Sequence, residues 1–518
     1  MKKINILWAD DEIDLLKPHI IFLEQKNCIV QTAYNGQDAI DLFKNKSFDI
    51  VFLDENMPGL SGLETLDKLK VIDPSLPIVM ITKSEEENIM DAAIGSKIAD
   101  YLIKPLNPNQ ILLTIKKYVY NRQLISQKTT TNYQKEFGII SQLISSAKKP
   151  DDWIYIYKKL VYWELEIGNT GGNELNEIVA MQYNEANAQF SKFIKNNYLD
   201  WFNGKSFEKP LLSPNIFNSS VFPQIEKTGK TALILIDNLR YDQWKTISPL
   251  ISQYFKIKNE ELYYSILPTA TQYSRNSMFA GLMPHEIEKM YPEFWLYDED
   301  KGGKNLFEEQ LLTHQLKRIG KKYKFYYTKI QNNKEGNELV NKFKNVINND
   351  LMVLVYNFVD MLSHARTDRE MIRELANDEP AYRSLTFSWF EHSTLLDFLK
   401  MLSENNISVI ITTDHGAIRV FNAVKIIGDK KTSTNLRYKT GKNLNYKEKE
   451  VFEIRQPEKA HLPSSNVSSR YIFATNQDFF VYPNNFNYYS NYFKNTFQHG
   501  GVSLQEMLIP LISLEPIG

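Results

Sequence analysis

Apolar residues along this chain follow two rhythms, and the change between them divides it into three parts. Over residues 1–121, short β-branched runs alternate with stretches whose apolar positions recur at helical spacing. The runs are Ile4–Ala9, Cys28–Ala33, Asp49–Asp54, Leu76–Thr82 and Asp100–Ile103, and Asp14–Gln25 and Gly36–Lys44 carry the helical spacing. Strands that alternate with helices predict a parallel, doubly wound sheet, whose strand-end polar residues meet on one edge. Over residues 122–210 the strand pattern disappears. Leu124–Ala147, Trp153–Ile167 and Glu174–Phe202, the last with an interruption, predict a small helical bundle, with a turn at residues 169–172. Its aromatics Trp153, Tyr157, Trp163, Phe190 and Trp201 are expected in the core. From 211 to 518 strands return as Thr231–Asp237, Leu351–Asp360, Ile407–His415 and Met507–Leu514. The expected fold class is therefore α/β multidomain, with an all-α segment between two α/β domains.

The totals agree with that division. A chain of 518 residues is too long for one core. Its apolar fraction of 43% and charged fraction of 24% are those of an ordinary soluble protein. A net charge of −1 gives no global field toward nucleic acid or anionic membrane, so any such binding needs a local patch. One cysteine, Cys28, excludes a disulfide framework and fits a reducing compartment. The start, MKKINILWADDE, lacks a cleavable leader pattern, and no stretch approaches the ~18 uncharged apolar residues of a membrane span. A cytoplasmic protein without membrane insertion is expected.

The strand ends of the first part carry Asp10, Asp11, Asp54, Thr82 and Lys104. Three carboxylates open to water suit one Mg²⁺, a hard ion that takes oxygen ligands. A hydroxyl and an ammonium complete the surroundings of a phosphoryl group passing to Asp54. This set, with Asp54 in LDENMPG, Thr82 in MITKS and Lys104 in DYLIKP, resembles the receiver domain of two-component response regulators. The resemblance implies Asp54 as phosphoacceptor and Mg²⁺ held by Asp10, Asp11, Asp54 and the backbone carbonyl of Asn56. It further implies Thr82 and Tyr101 as a switch pair, and a cis bond between Lys104 and Pro105. The middle segment has no helix-turn-helix signature and no basic stripe, which argues against a DNA-binding output.

In the third part Asp237, Asp360, His364, Asp414, His415 and His499 lie at strand ends or adjoining turns. Six nitrogen and oxygen ligands are enough for two zinc-like ions. The segment Leu267–Arg275 holds two threonines around Ala270, and a hydroxyl beside a metal becomes a nucleophile at neutral pH. Arg275, permanently charged, is expected to bind substrate phosphate oxygens. The order Asp, PTAT, DMLSH, DHG, HGG resembles the alkaline phosphatase superfamily, most of all its PglZ branch. That resemblance implies Thr271 as metal-bound nucleophile, with Asp237, Thr271, Asp414 and His415 in one zinc shell and Asp360, His364 and His499 in the other. His19, His285, His314, His392 and His461 have no such setting. The charged stretch Lys425–Lys459 reads as a solvated insertion or as a cap over the metals. In the second reading Arg437 and the lysines attract an anion, and Tyr438, Tyr446 and Phe452 stack on bases.

Receiver, helical segment and PglZ-type domain in this order (1–121, 122–210 and 211–518) resemble the PorX-type regulators associated with type IX secretion. The resemblance implies a PorY-type sensor histidine kinase, homodimerisation on phosphorylation, and phosphodiesterase activity on linear or cyclic oligonucleotides. It also implies influence through an alternative sigma factor or a secretion component. The competing expectation is a PglZ scaffold of minor catalytic power that signals by dimerising and binding a partner.

Overall fold

The computed structural model describes residues 3–73, 76–83, 98–168, 173–204, 208–298, 300, 302–368, 378–428, 433, 435–464, 466 and 468–517. The predicted turn at 169–172 lies outside them. The chain forms two compact units, one of Met1–Glu136 with Glu166–Asn176, the other of Phe137–Leu165 with Glu177–Gly518. Among the described residues no helix is long and apolar enough to cross a membrane.

The first unit contains β1 (Ile4–Ala9), α1 (Lys17–Glu24), β2 (Cys28–Ala33), α2 (Gly36–Asn45), β3 (Ile50–Asp54), α3 (Gly62–Ile72), β4 (Ile78–Thr82), β5 (Asp100–Ile103) and α4 (Pro108–Ile115). Its strands pair in the order β2-β1-β3-β4-β5, and every pairing is parallel. β3 and β4 are buried along their whole length because helices cover both faces, which is why they read as unbroken apolar runs. One face packs Trp8, Phe52, Val79 and Ile81; the other packs Leu7, Val51, Leu53 and Met80. A capping box between Ser61 and Glu64 fixes the start of α3 just after the β3 strand end. The Lys104–Pro105 bond is cis, as expected.

The helical segment forms α5 (Asn121–Ser146), α6 (Pro150–Gly168) and α7 (Asn173–Asn197), the last followed by a 3-10 turn at Tyr198–Trp201. Trp153, Tyr157, Trp163, Phe190 and Trp201 are all buried. Within the second unit Trp153 meets Phe190 edge-on at 5.4 Å, and Phe190 and Trp201 pack on Tyr264 of the sheet domain at 6.2 and 5.4 Å. The aromatics therefore join α6 and α7 to each other and also to the sheet domain.

That domain is built on β6 (Thr231–Ile236), α8 (Tyr241–Ile251), β7 (Phe255–Tyr264), α9 (Thr271–Ala280), β8 (Phe325–Ile330), β9 (Leu351–Tyr356), α10 (Phe358–Asp368), α11 (Glu379–Glu391), β10 (Ser408–Thr412) and, at the end, β18 (Leu508–Pro516). The sheet order is β7-β18-β10-β6-β9-β8. β10, β6, β9 and β8 run parallel, whereas β18 pairs antiparallel with both β10 and β7. The registers Thr412↔Leu235 and Ile236↔Tyr356 align three strand ends, so the residues just beyond them converge on one edge. The strand predicted to end at Asp360 stops at Tyr356, and Asp360 lies in the first turn of α10. Apolar residues continue from the strand into the helix, so hydrophobicity alone could not mark the boundary.

The charged stretch Lys425–Lys459, expected as a solvated insertion or cap, is part of a larger folded β module. The module comprises β11 (Ile418–Arg419), β12 (Asn422–Lys425), β13 (Tyr438–Gly441), β14 (Phe452–Ile454), β15 (Arg470–Phe473), β16 (Asp478–Val481), α12 (Phe486–Phe493) and β17 (Phe497–Gln498). Val424, Ile426, Leu444, Val451, Ile472 and Phe480 form its core. Arg437, Tyr438 and Phe452 are buried in it or beside it, so they are not exposed for an anion or a base.

Candidate metal centre and phosphoacceptor pocket

Thr271 is the first residue of α9, and Ala270 is the extended residue that precedes it. The helix N-terminus directs its positive end at whatever negative charge gathers at the hydroxyl. Two groups of ligand-type side chains meet there. Asp237, Asp414 and His415 form one, Asp360, His364 and His499 the other, and within each the ligand atoms lie within 4.8 Å of one another. The rings of His415 and His499 stack at 4.2 Å and 17°, which joins the two groups into one centre. The Thr271 hydroxyl lies 3.0 Å from His415 Nε2. All seven expected ligands are thus brought together.

The backbone sets the orientation of both buried imidazoles. His415 Nδ1 lies 3.2 Å from the Gly416 carbonyl, and His499 Nδ1 lies 3.1 Å from the Thr269 carbonyl. A carbonyl only accepts, so each Nδ1 carries the proton and each Nε2 presents a lone pair to the centre. His415 Nε2 faces Asp237 and Asp414 at 3.7 Å, and His499 Nε2 faces Asp360 at 3.9 Å. Burial pushes His499 down to about 3, so it is neutral at pH 7 as a ligand must be. His364 Nε2 lies 3.5 Å from Asp360 on the more exposed side.

The DHG turn is held by its neighbours. Tyr263 donates to the Thr413 carbonyl at 2.5 Å and Ser265 to the Asp414 carbonyl at 2.7 Å. A side chain at Gly416 would meet the Gln505 carbonyl at 2.1 Å, so only glycine allows that approach. The residues present fit divalent cations. Asp237 Oδ1 is buried without a hydrogen-bond partner, and the donor set mixes carboxylate with neutral imidazole, as borderline metals prefer.

Arg275 differs from its expected role. It is fully buried; its Nε donates to Asp414 at 3.0 Å, its Nη2 pairs with Asp237, and its Nη1 lies 3.5 Å from Glu308. One helical turn beyond Thr271, the guanidinium is spent on ligand carboxylates and is not presented to a substrate phosphate. Burial opposes ionisation of Asp414, yet Arg275 holds it well below the carboxylate range; at Asp237 burial prevails and raises the pKa despite Arg275. Glu308 passes the pairing on to Lys329 at 2.8 Å and accepts from Tyr327 at 2.9 Å.

Sequence reasoning missed Glu308, Asn238 and Thr269. Asn238 has φ +63° and its amide lies 3.3 Å from Asp360, next in sequence to a ligand but bonded to the other group. The Thr269 hydroxyl donates to the Gly501 carbonyl at 2.9 Å and accepts from the Gly500 N–H at 3.0 Å, tying the PTAT loop to the HGG turn. Its position in PTAT was the one available signal.

In the first unit, Lys104 bridges Asp54 at 2.6 Å and Asp10 at 2.9 Å. Both carboxylates are buried, and Asp11 is exposed at the same edge. The Asn56 N–H donates to Asp54 at 3.0 Å. Burial raises the Asp54 pKa, opposed by Lys104 and that N–H; burial also lowers Lys104, but bonds to Asp54 and Asp10 outweigh it and raise it. Thr82 donates to Glu55 at 2.6 Å, a partner the sequence did not suggest, and Tyr101 is exposed.

Comparison with known families finds three matches along the chain. Residues 6–116 match the response regulator receiver domain, 123–202 the PorX response regulator linker domain, and 216–514 the BREX system PglZ alkaline phosphatase-like domain. The transcriptional regulatory protein ZraR of Klebsiella oxytoca is 30% identical over 139 residues, 27% of this chain and 31% of that protein. ResD of Bacillus subtilis is 31% identical over 139 residues, 27% of this chain and 58% of its own length. The chain thus spans about a third of ZraR. Among solved structures, a receiver domain from Clostridium thermocellum is 27% identical with a TM-score of 0.23, covering 23% of this chain and 98% of its own.

Proposed function

Because the chain belongs to the PorX-type response regulators, with a receiver, a PorX linker and a PglZ alkaline phosphatase-like domain, we propose that it is a phosphorylation-controlled, zinc-dependent phosphodiesterase acting on linear or cyclic oligonucleotides. The observation that carries this reading is the pair of ligand groups joined through His415 and His499 around the Thr271 hydroxyl. Asp237, Asp414 and His415 would hold one zinc ion, and Asp360, His364 and His499 the other. Such ions supply Lewis acidity and offset the charge that develops on phosphate oxygens.

The chain's own residues do the rest. The Thr271 oxygen attacks phosphorus in line, forming a P–O bond as the bond to the leaving oxygen breaks. With His415 Nε2 turned toward the ion by the Gly416 carbonyl, the hydroxyl would release its proton to water as it attacks. Water then cleaves the phosphothreonine and restores the hydroxyl. Arg275 balances the charge of Asp237 and Asp414 from behind and keeps both carboxylates in place.

In the receiver, Asp54 would accept the phosphoryl group from a sensor histidine kinase of the PorY type. Mg²⁺ would sit among Asp10, Asp11, Asp54 and the Asn56 carbonyl, with Thr82, Tyr101 and Lys104 reading the new charge. Homodimerisation is the proposed response, and type IX secretion, through an alternative sigma factor or a secretion component, the proposed process; domain order and the linker support that reading. Metal analysis of the purified chain, with rates on chromogenic phosphate mono- and diesters for wild type and Thr271→Ala, tests the enzyme. Two metals per chain and a diester rate lost in Thr271→Ala are expected. A metal-loaded, folded Thr271→Ala protein that hydrolyses at the normal rate overturns it.

A further inference from the structure

The linker buries polar side chains as well as aromatic ones. Asn187 of α7 is 1% exposed, and Tyr198, in the 3-10 turn that follows, is fully buried. An aromatic core has no need of an amide or a hydroxyl, and burying either is unfavourable unless it is hydrogen-bonded. Both are bonded, and their partners include backbone N–H groups of the loops around the metal centre, 69 and 317 positions away along the chain. Tyr198 accepts the Leu267 N–H at 2.8 Å, where the chain enters the PTAT loop. Two residues on, the Thr269 carbonyl faces His499 Nδ1, and the Thr269 hydroxyl bonds Gly500 and Gly501. Tyr198 thus holds the start of the loop whose backbone sets the His499 ring.

Asn187 works toward the other imidazole. Its Oδ1 accepts the Leu504 N–H at 2.8 Å, and its Nδ2 donates to Gln505 Oε1 at 3.1 Å. With both ends of the amide engaged, the Leu504–Gln505 backbone is fixed in place. The Gln505 carbonyl lies 2.1 Å from where a side chain on Gly416 would begin, and the Gly416 N–H donates to the Glu506 carbonyl at 3.2 Å. Gly416 in turn supplies the carbonyl that faces His415 Nδ1. Each path therefore runs from a linker side chain, through a few residues of loop, to the carbonyl that orients one ligand. Groups that orient metal-binding imidazoles govern metal affinity about 10–100-fold.

We propose that Asn187 and Tyr198 are positioning residues through which the linker sets the two stacked imidazoles of the metal centre, Asn187 acting on His415 and Tyr198 on His499. The proposal rests on the metal-dependent reading of that site and names the linker as the part of the chain that governs it. The linker is then a structural component of the enzyme and not a spacer before it.

Zinc titration of the full-length chain in competition with a chromophoric chelator provides the measurement. Wild type is expected to hold two ions. Tyr198→Phe removes one oxygen, and Asn187→Leu keeps the approximate shape without polar atoms. Each is expected to hold one ion as wild type does and the other at least tenfold more weakly. The two changes together are expected to weaken both ions. Ile194→Val trims a buried apolar residue of the same helix. It is expected to lower thermal stability and to leave both affinities within about twofold of wild type. Thermal unfolding checks that each variant is folded at the titration temperature, and Asn187→Ala replaces Asn187→Leu if that variant is not. The proposal is overturned if either single variant holds both ions like wild type, or if Ile194→Val weakens zinc as much as they do. It also falls if each single variant weakens both ions equally, for then the change loosens the domain as a whole. A wild type that binds no zinc overturns the metal reading and the proposal together. A wild type that binds two ions beside variants that do the same loses the proposal and keeps the enzyme.

Discussion

At the scale of single residues, buried charge explains more than exposed chemistry does. Arg275 faces Asp237, Asp414 and Glu308 with no access to water. Removing one partner from such a set strands the others and costs about 3–5 kcal/mol. Divalent cations bound by the same carboxylates would take over part of that balance. Arg275→Met is therefore expected to lower stability by about 3–5 kcal/mol in chelator and by clearly less in saturating zinc, read from urea unfolding under both conditions. An equal loss in both would mean that Arg275 does not balance the ligand charge. Lys439 offers a pH-dependent case away from the ligand side chains. Burial pulls it down to about 7, opposed by Asp298, which burial itself lifts to about 6. Unfolded, the lysine titrates near its ordinary ~10.4, so between about 7 and ~10.4 the unfolded chain binds the extra proton. Stability must then rise with pH across that window, by up to about 1.4 kcal/mol per unit, and the penalty is fully present below it. Lys439→Met lacks the rise. Its stability relative to wild type is expected to fall between pH 7 and pH 9, as measured by urea midpoints at both.

At the scale of elements, the legible parts were those whose pattern is local. β3 and β4 announced themselves because helices bury both faces, and DHG because a buried run stops abruptly at polar residues. The β module did not, because its core joins Val424 and Ile426 to Ile472 and Phe480, about fifty residues away, through a stretch dense in lysine. Arg437 looked like a solvated cation for the same reason. Its partner Glu506 is 69 positions later, gripped at 3.1 Å through Nε and 2.6 Å through Nη2. Glu506 also accepts the Gly501 N–H at 2.8 Å and the Ser503 hydroxyl at 2.6 Å. Gly500 holds φ +116°, a conformation that only glycine takes readily, so the HGG turn is shaped by its glycines and fastened by this ion pair. The module thereby orients His499. Arg437→Met leaves Glu506 buried and unpaired. It is expected to lower the metal content from two ions toward one per chain, with Asp237, Asp414 and His415 keeping theirs. Adding Glu506→Leu, which removes the stranded charge, should recover stability but not the second metal. Elemental analysis with thermal unfolding checks both halves.

At the scale of the whole molecule, the sequence divided the chain by periodicity, whereas packing divides it by where the aromatics go. Periodicity places Trp153, Phe190 and Trp201 inside a bundle, and they are inside, with Tyr264 of the sheet domain completing that core. Periodicity tells which face of a helix is buried and not what covers it. Any control by phosphorylation begins at the receiver, where the charge balance is simple. Lys104 is shared by Asp54 and Asp10, so two buried carboxylates have one cation between them, and Asp11 adds a third negative charge at the edge. A phosphoryl group on Asp54 replaces one negative charge by nearly two. Lys104 cannot balance that as well as Asp10, and a divalent ion at the same carboxylates can. Beryllofluoride is therefore expected to bind wild type only with Mg²⁺ present. Asp54→Asn, which keeps the size of the side chain and removes the acceptor oxygen's charge, is expected not to respond. If the receiver controls assembly, light scattering will show the mass of wild type doubling on adding Mg²⁺ and beryllofluoride together, and with neither alone. A doubling that persists in Asp54→Asn would locate the trigger elsewhere, and an unchanged wild-type mass would leave the receiver to act within one chain.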